Sequence, residues 1–142
     1  MKIKLLDKNA IVPSYAQPGD AGADLHALEN YFIQGGQQVL VRTGVAFEIP
    51  PGFVGLIRPR SGLATKAGVG MNSSGVVDSG YRGEIFVNLI NHSKQGYNIQ
   101  PGDRIAQIVF IPFYSVHFDV VEELSLSERG ENGHGSTGGW TA

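Results

Sequence analysis

The sequence contains no cysteine. Disulfide staples and thiolate metal sites are thereby excluded, and a reducing compartment fits. An excess of positive charge is also missing. The formal net charge is −2, whereas proteins that coat nucleic acid are normally basic. A highly charged anionic ligand must therefore be held by a local cluster of cations, not by the overall field. No apolar run approaches the ~20 residues of a membrane-spanning helix. The opening Met1-Lys2-Ile3-Lys4-Leu5-Leu6-Asp7 is too short and too charged for a signal peptide. Sustained helical periodicity, internal repeats and a dividing linker are absent as well. The expectation is a single-domain cytoplasmic protein with no nucleic-acid or membrane partner.

What the chain does have is punctuation. Twenty glycines and seven prolines separate short segments rich in Val, Ile, Phe and Tyr, among them 38–42, 45–49, 53–58, 84–90, 104–113 and 115–121. Short strands at regular spacing with turn signals between them predict an all-β sandwich or barrel. One exception stands at Ser61 to Gly68, where a turn or two of helix is expected with Ser61 as N-cap and Gly68 as the stop. The run from Ile105 to Phe113 is broken only by Gln107 and Pro112. A half-exposed strand would alternate, so either both faces of this one lie in the core or one meets another subunit. In a chain this small the second favours an oligomer.

The segment Gly75-Val76-Val77-Asp78-Ser79-Gly80-Tyr81-Arg82-Gly83-Glu84 joins two apolar runs through a Ser-Gly pair, the signature of a tight hairpin. An acid and an aromatic fixed together there can hold a water and a ring-bearing ligand. The same Asp78 also suits plain turn chemistry. Four further polar, glycine-marked blocks interrupt the strands: Ala21 to Leu25, Arg58 to Ala64, Gly102 to Gln107, and Arg129 to Gly138. Each carries residue types suited to a triphosphate and its metal. Arg60-Ser61-Gly62 opens the expected helix, where free N–H groups favour phosphate. A buried Gln107 needs a hydrogen-bond partner and could anchor that loop. The glycine-rich end, 129–142, reads as a tail or as an arm that orders on a ligand. His26, His92 and His117 show no metal-ligand spacing, and Trp140 has no evident role.

These five blocks, in order from residue 21 to residue 138, closely resemble the five motifs of the trimeric dUTPases of bacterial type. The resemblance implies a compact β-barrel or jelly roll of short strands over residues 1–128, with a flexible arm over 129–142 closing an active site. It implies a homotrimer around a three-fold axis, with sites shared between subunits. The implied reaction is hydrolysis of dUTP to dUMP and pyrophosphate, which keeps uracil out of DNA and supplies dUMP for dTMP synthesis. By the same resemblance, Arg60, Ser61 and Gly62 hold the β- and γ-phosphates, and Gln107 contacts the α-phosphate. Asp24 reaches Mg2+ through water, the ion being held mainly by the substrate phosphates. Asp78 orients and activates the attacking water. Tyr81 packs on the deoxyribose and leaves no room for a 2′-hydroxyl. Asn72 and the backbone of Gly75, Val76 and Val77 read the uracil edge, and Phe86 lines the same pocket. From the arm, Arg129, Ser136 and Thr137 meet the γ-phosphate, while His134, with Gly135 beside it, stacks on the base. His134 stands where the family commonly has phenylalanine, and Asn132 where it has glycine. Two other readings remain: a dCTP deaminase-type enzyme, with Glu84 as the extra proton shuttle, and a non-catalytic trimeric nucleotide-binding module.

Overall fold

The computed structural model describes residues 1–131. Eleven strands and one short helix run in the order β1 (Lys2–Leu5), β2 (Ala23–His26), β3 (Tyr31–Ile33), β4 (Gln38–Arg42), β5 (Val45–Glu48), β6 (Phe53–Arg58), α1 (Ser61–Ala67), β7 (Val69–Met71), β8 (Gly75–Val77), β9 (Phe86–Asn91), β10 (Tyr97–Ile99) and β11 (Arg104–Pro112). They form a jelly-roll-like β fold.

Strand β6 shows how local chemistry sets the boundaries. Pro50-Pro51-Gly52 turns the chain, with Gly52 at φ 82 and the Phe53 amide donating to the Pro50 carbonyl. Pro59 then ends the ladder, because it has no N–H to give. Helix α1 stops at Gly68, which is left-handed (φ 66) and donates its N–H to the Ala64 carbonyl at 3.0 Å.

Two sheets enclose the core. One has the order β2-β11-β6-β8 and the other β4-β9-β7, with β1-β5 and β10-β3 as two-stranded additions. Leu25, Ile57, Val77, Ile105 and Ile108 from the first pack in one cluster with Val41, Val69, Val87 and Leu89 from the second. Leu89 is fully buried, so its truncation to alanine should cost about 2–5 kcal/mol.

Several expectations change. Asp78-Ser79-Gly80 does not close a hairpin between β8 and β9. Strand β8 pairs with β6, and β9 pairs with β4 and β7, so the turn carries the chain from one sheet to the other. Residues 115–121 form no strand and lie exposed, because no ladder in this chain receives them. Ser61 is not the N-cap. Arg60 is, with extended backbone, and its carbonyl already accepts the first helical bond from Ala64 at 3.2 Å. The Asp24 block is itself a strand rather than an interruption between strands. Strand β11 is buried at Ile105, Ala106 and Ile108 but exposes Ile111 at its far end, so it is not buried throughout.

For the site, register matters most. Gln107 stands between Asp24 on β2 and Arg58 on β6. On β8, Gly75 faces Ile57 and Val77 faces Gly55. Asp78 therefore leaves the sheet level with Val54. From there to Arg58 is about 13 Å at ~3.3 Å per residue, and Arg60 lies beyond.

Candidate active site

Two clefts divide the predicted residues. The first, of 310 Å³, is lined by Asp20, Gly22, Asp24, Arg60, Ser61, Gly62 and Gln107 among others. Asp24 is buried at 6 % exposure, and a bare carboxylate there would be costly. Two guanidiniums hold it: Arg60 Nε lies 3.0 Å from Oδ1 and Arg104 Nη1 lies 3.3 Å from Oδ2. Arg60 Nη1 also donates to the Arg104 carbonyl at 3.3 Å. Arg60 is thus fixed by its carboxylate partner while it still lines the cleft. Gln107 Nε2 donates to the Pro59 carbonyl at 3.2 Å, which ties β11 to the loop ahead of α1. Gly22 makes room for that glutamine, since a Cβ on residue 22 would stand 2.9 Å from Gln107 Cδ. The first-turn amides of α1 have no acceptor within the helix, and Ser61 and Gly62 of that turn line the same cleft.

His26 lies at the edge of this cluster. Its Nδ1 is buried without a hydrogen-bond partner. Burial lowers the pKa of the ring from its ordinary value; Asp24 raises it in part, and Arg104 and Arg60 lower it further.

The second cleft, of 270 Å³, is lined by Gly75, Val76, Val77, Asp78, Tyr81, Glu84 and Phe86, with Ile57 and Ile85. The turn that carries Asp78 is tightly made. The Tyr81 amide donates to the Asp78 carbonyl at 3.0 Å. Arg82 Nη1 donates to the carbonyls of Ser79 (2.7 Å) and Tyr81 (2.8 Å). The Asp78 side chain is exposed to water. The Tyr81 hydroxyl donates to the Glu84 carbonyl at 3.0 Å. The Glu84 carboxylate is turned away from the turn. It accepts from Arg42 Nε at 3.2 Å and from the Gly44 amide at 2.8 Å, and this contact raises the Arg42 pKa.

The two clefts share no lining residue. Within one chain, the Asp78 group and the Arg60 group are therefore separate. Asn72 stands apart from both. Its amide donates to the Asn88 carbonyl at 3.0 Å and its side chain to Gln38 at 2.6 Å, two residues along β9 from Phe86. Arg129 lies in the exposed bend near residue 131. His134, Gly135, Ser136 and Thr137, with the rest of the arm from residue 132, lie outside the described residues. The sequence reading missed Arg104 and Arg42. Arg104 lay inside a block already singled out. Arg42 carried no local signal, because its partner is distant in the chain.

A carboxylate braced by two guanidiniums, and an exposed acid beside an aromatic on a rigid turn, place cationic, acidic and aromatic groups on a β scaffold as a phosphorylated nucleoside would require. The dUTPase family model matches residues 8–138, and the chain belongs to the dUTPase family. It is 51 % identical over 139 residues to the deoxyuridine 5′-triphosphate nucleotidohydrolase of Helicobacter hepaticus, covering 97 % of this chain and 88 % of that protein. Its fold matches a Staphylococcus bacteriophage 80alpha dUTPase with dUPNHPP at TM-score 0.92 and 33 % identity, over 96 % of this chain and 97 % of that one. It also matches a mutant dUTPase of phage phi11 of S. aureus, described with a structural Mg(II) ion, at TM-score 0.81 and 29 % identity, over 86 % and 96 %.

Proposed function

We propose that this chain is a dUTP diphosphatase, which hydrolyses dUTP to dUMP and pyrophosphate by attack of water on the α-phosphorus. In the cell this activity would keep uracil out of DNA and supply dUMP for dTMP synthesis. One observation carries the reading. The Asp78 carboxylate is water-exposed on a turn held by four hydrogen bonds from Tyr81 and Arg82. Such an acid can orient a water and accept its proton while the turn holds its position. Tyr81 offers its ring to the deoxyribose. The backbone of Gly75, Val76 and Val77 offers donors and acceptors to the uracil edge, with Phe86 as a wall and Asn72 reached from the side.

The phosphates fall to Arg60, Ser61, Gly62 and Gln107. Asp24 fits a place beside magnesium. Each of its oxygens has one guanidinium contact and keeps a further lone pair, so it can accept from a metal-bound water. When bound, the ion would neutralise charge on the triphosphate.

The separation of Asp78 from Arg60 supports sites assembled from more than one chain. A homotrimer supplies this if the phosphate group of one subunit faces the nucleoside group of the next. The exposed apolar segment after β11, with Phe118 at 82 % and Val120 at 100 % exposure, supports contact with a neighbour. Residues 1–128 would form the β body and 129–142 an arm over a site, with Arg129, Ser136 and Thr137 on the γ-phosphate and His134, next to Gly135, on the base. Among the described residues no helix is long and apolar enough to cross a membrane. The lack of cysteine suits a reducing cytoplasm.

The deaminase alternative needs a free glutamate, and Glu84 is engaged by Arg42 and the Gly44 amide. The non-catalytic alternative predicts no turnover. Pyrophosphate release measured across dUTP, dCTP, dTTP and UTP, with ammonia assayed alongside, decides between them. Release from dUTP alone is expected. Ammonia from dCTP, or no release at all, would overturn the reading.

A further inference from the structure

We propose that Gly83 and Glu84 are positioning residues that aim the Tyr81 ring, and that they thereby set the preference for a sugar without a 2′-hydroxyl. This rests on the reading that Tyr81 meets the deoxyribose.

Space at Gly83 carries the first half. A Cβ on residue 83 would stand 2.6 Å from Tyr81 Cζ and 3.0 Å from Cε2. The ring thus lies directly on the Gly83 backbone. Gly83 is outside the left-handed region, so its conformation does not demand glycine. Only the ring demands it. Gly80, in the same turn, has open space around it, so the crowding is particular to residue 83.

The hydroxyl anchor carries the second half. Tyr81 donates to the Glu84 carbonyl at 3.0 Å. The residue that bears this carbonyl is anchored through its side chain. The Glu84 carboxylate is gripped by Arg42 Nε and Nη2, each at 3.2 Å, and by the Gly44 amide at 2.8 Å. Arg42 is braced on its other side by Glu29 at 2.7 Å. The end of β4 and the turn after it therefore hold Glu84, whose carbonyl accepts from the tyrosine hydroxyl, although Arg42 and Gly44 do not line the cleft. The distal end of the Tyr81 side chain, packed on Gly83 and hydrogen-bonded to Glu84, cannot swing to admit an extra hydroxyl.

The test compares kcat/KM for dUTP and UTP by pyrophosphate release in the full-length chain. Gly83→Ala is expected to lower the dUTP-to-UTP ratio by about ten-fold or more, in the range of discrimination set by pocket contacts. Melting temperature and assembly should stay near wild type. Glu84→Gln and Tyr81→Phe should lower the ratio less, since the first only loosens the hydroxyl anchor and the second keeps the ring's Cζ and Cε2 packed on Gly83. In a Tyr81→Ala background, Gly83→Ala should add nothing, because coupled residues are not additive. A ratio unchanged by Gly83→Ala and by Tyr81→Phe, while Tyr81→Ala collapses it, overturns the positioning role and leaves the sugar contact standing. A ratio unchanged by Tyr81→Ala overturns the sugar contact and the positioning role with it.

Discussion

Asp24 Oδ1 lies 3.0 Å from Arg60 Nε, so β2 and the residue that caps α1 are joined by charge inside one cleft. Changing Asp24 to Asn keeps the shape and removes the charge that both arginines share. The expected result is a 10–100-fold loss of activity at limiting magnesium, about the effect of removing an outer-shell metal partner. Excess magnesium should recover part of it. A magnesium titration for both proteins checks this; coincident curves would leave Asp24 with only its structural ion pairs.

Asp78→Asn should lower kcat by at least ~10²-fold while dUTP still binds, as expected when a general base is lost. Binding is read by calorimetry with a non-hydrolysable analogue, and turnover by pyrophosphate release. Near-normal turnover would remove Asp78 from the chemistry.

Chains carrying Asp78→Asn should be rescued by chains truncated before Arg129. Each alone is expected to be inactive. Mixed after co-refolding, some sites would draw an intact Asp78 and an intact arm from different subunits. Analytical ultracentrifugation should show trimers for both variants. A fully active monomer would end the shared-site reading.

His26 gives the pH prediction. Its folded-state pKa is lowered, chiefly by burial. The unfolded chain therefore holds the proton more tightly than the folded one. Stability is fully present above the ordinary value of 6.5 and falls as pH drops below it toward the folded value. The doubly protonated ring carries an N–H on Nδ1, which has no acceptor, and adds a positive charge close to Arg60 and Arg104. Denaturant midpoints between pH 7.5 and 5, as a rough range around the histidine pKa, should fall for wild type. The fall should be smaller for His26→Gln; parallel curves would clear His26 of the effect.

Much of the fold is written locally. Pro50-Pro51-Gly52 and Pro59 bracket β6, and Gly68 ends α1, so those boundaries follow from residue chemistry alone. Pairing is not local. Val76 and Val77 read as the first arm of a hairpin, yet their ladder partner is β6, because burying Val77 in a cluster with Ile57 is a tertiary matter. Residues 115–121 have strand composition but no ladder here, and composition cannot say who supplies the partner. The candidate site divides in the same way. Asp78 and Tyr81 are close neighbours in one turn and legible together. The bracing of Asp24 by Arg60 and Arg104, and of Glu84 by Arg42, spans distant segments and appears only once the sheets are assembled.

Tyr114 at 96 %, Val120 at 100 % and Leu126 at 103 % exposure have a thermodynamic consequence. Leaving that much apolar surface in water forgoes about 25 cal/mol for each Å² that a neighbour could cover. Covering it with a second chain is a mass-action event, so the free energy gained depends on how much protein is present. If a second copy of this chain is the neighbour, as proposed, the unfolding midpoint should climb with protein concentration, and dilution alone should act as a mild denaturant.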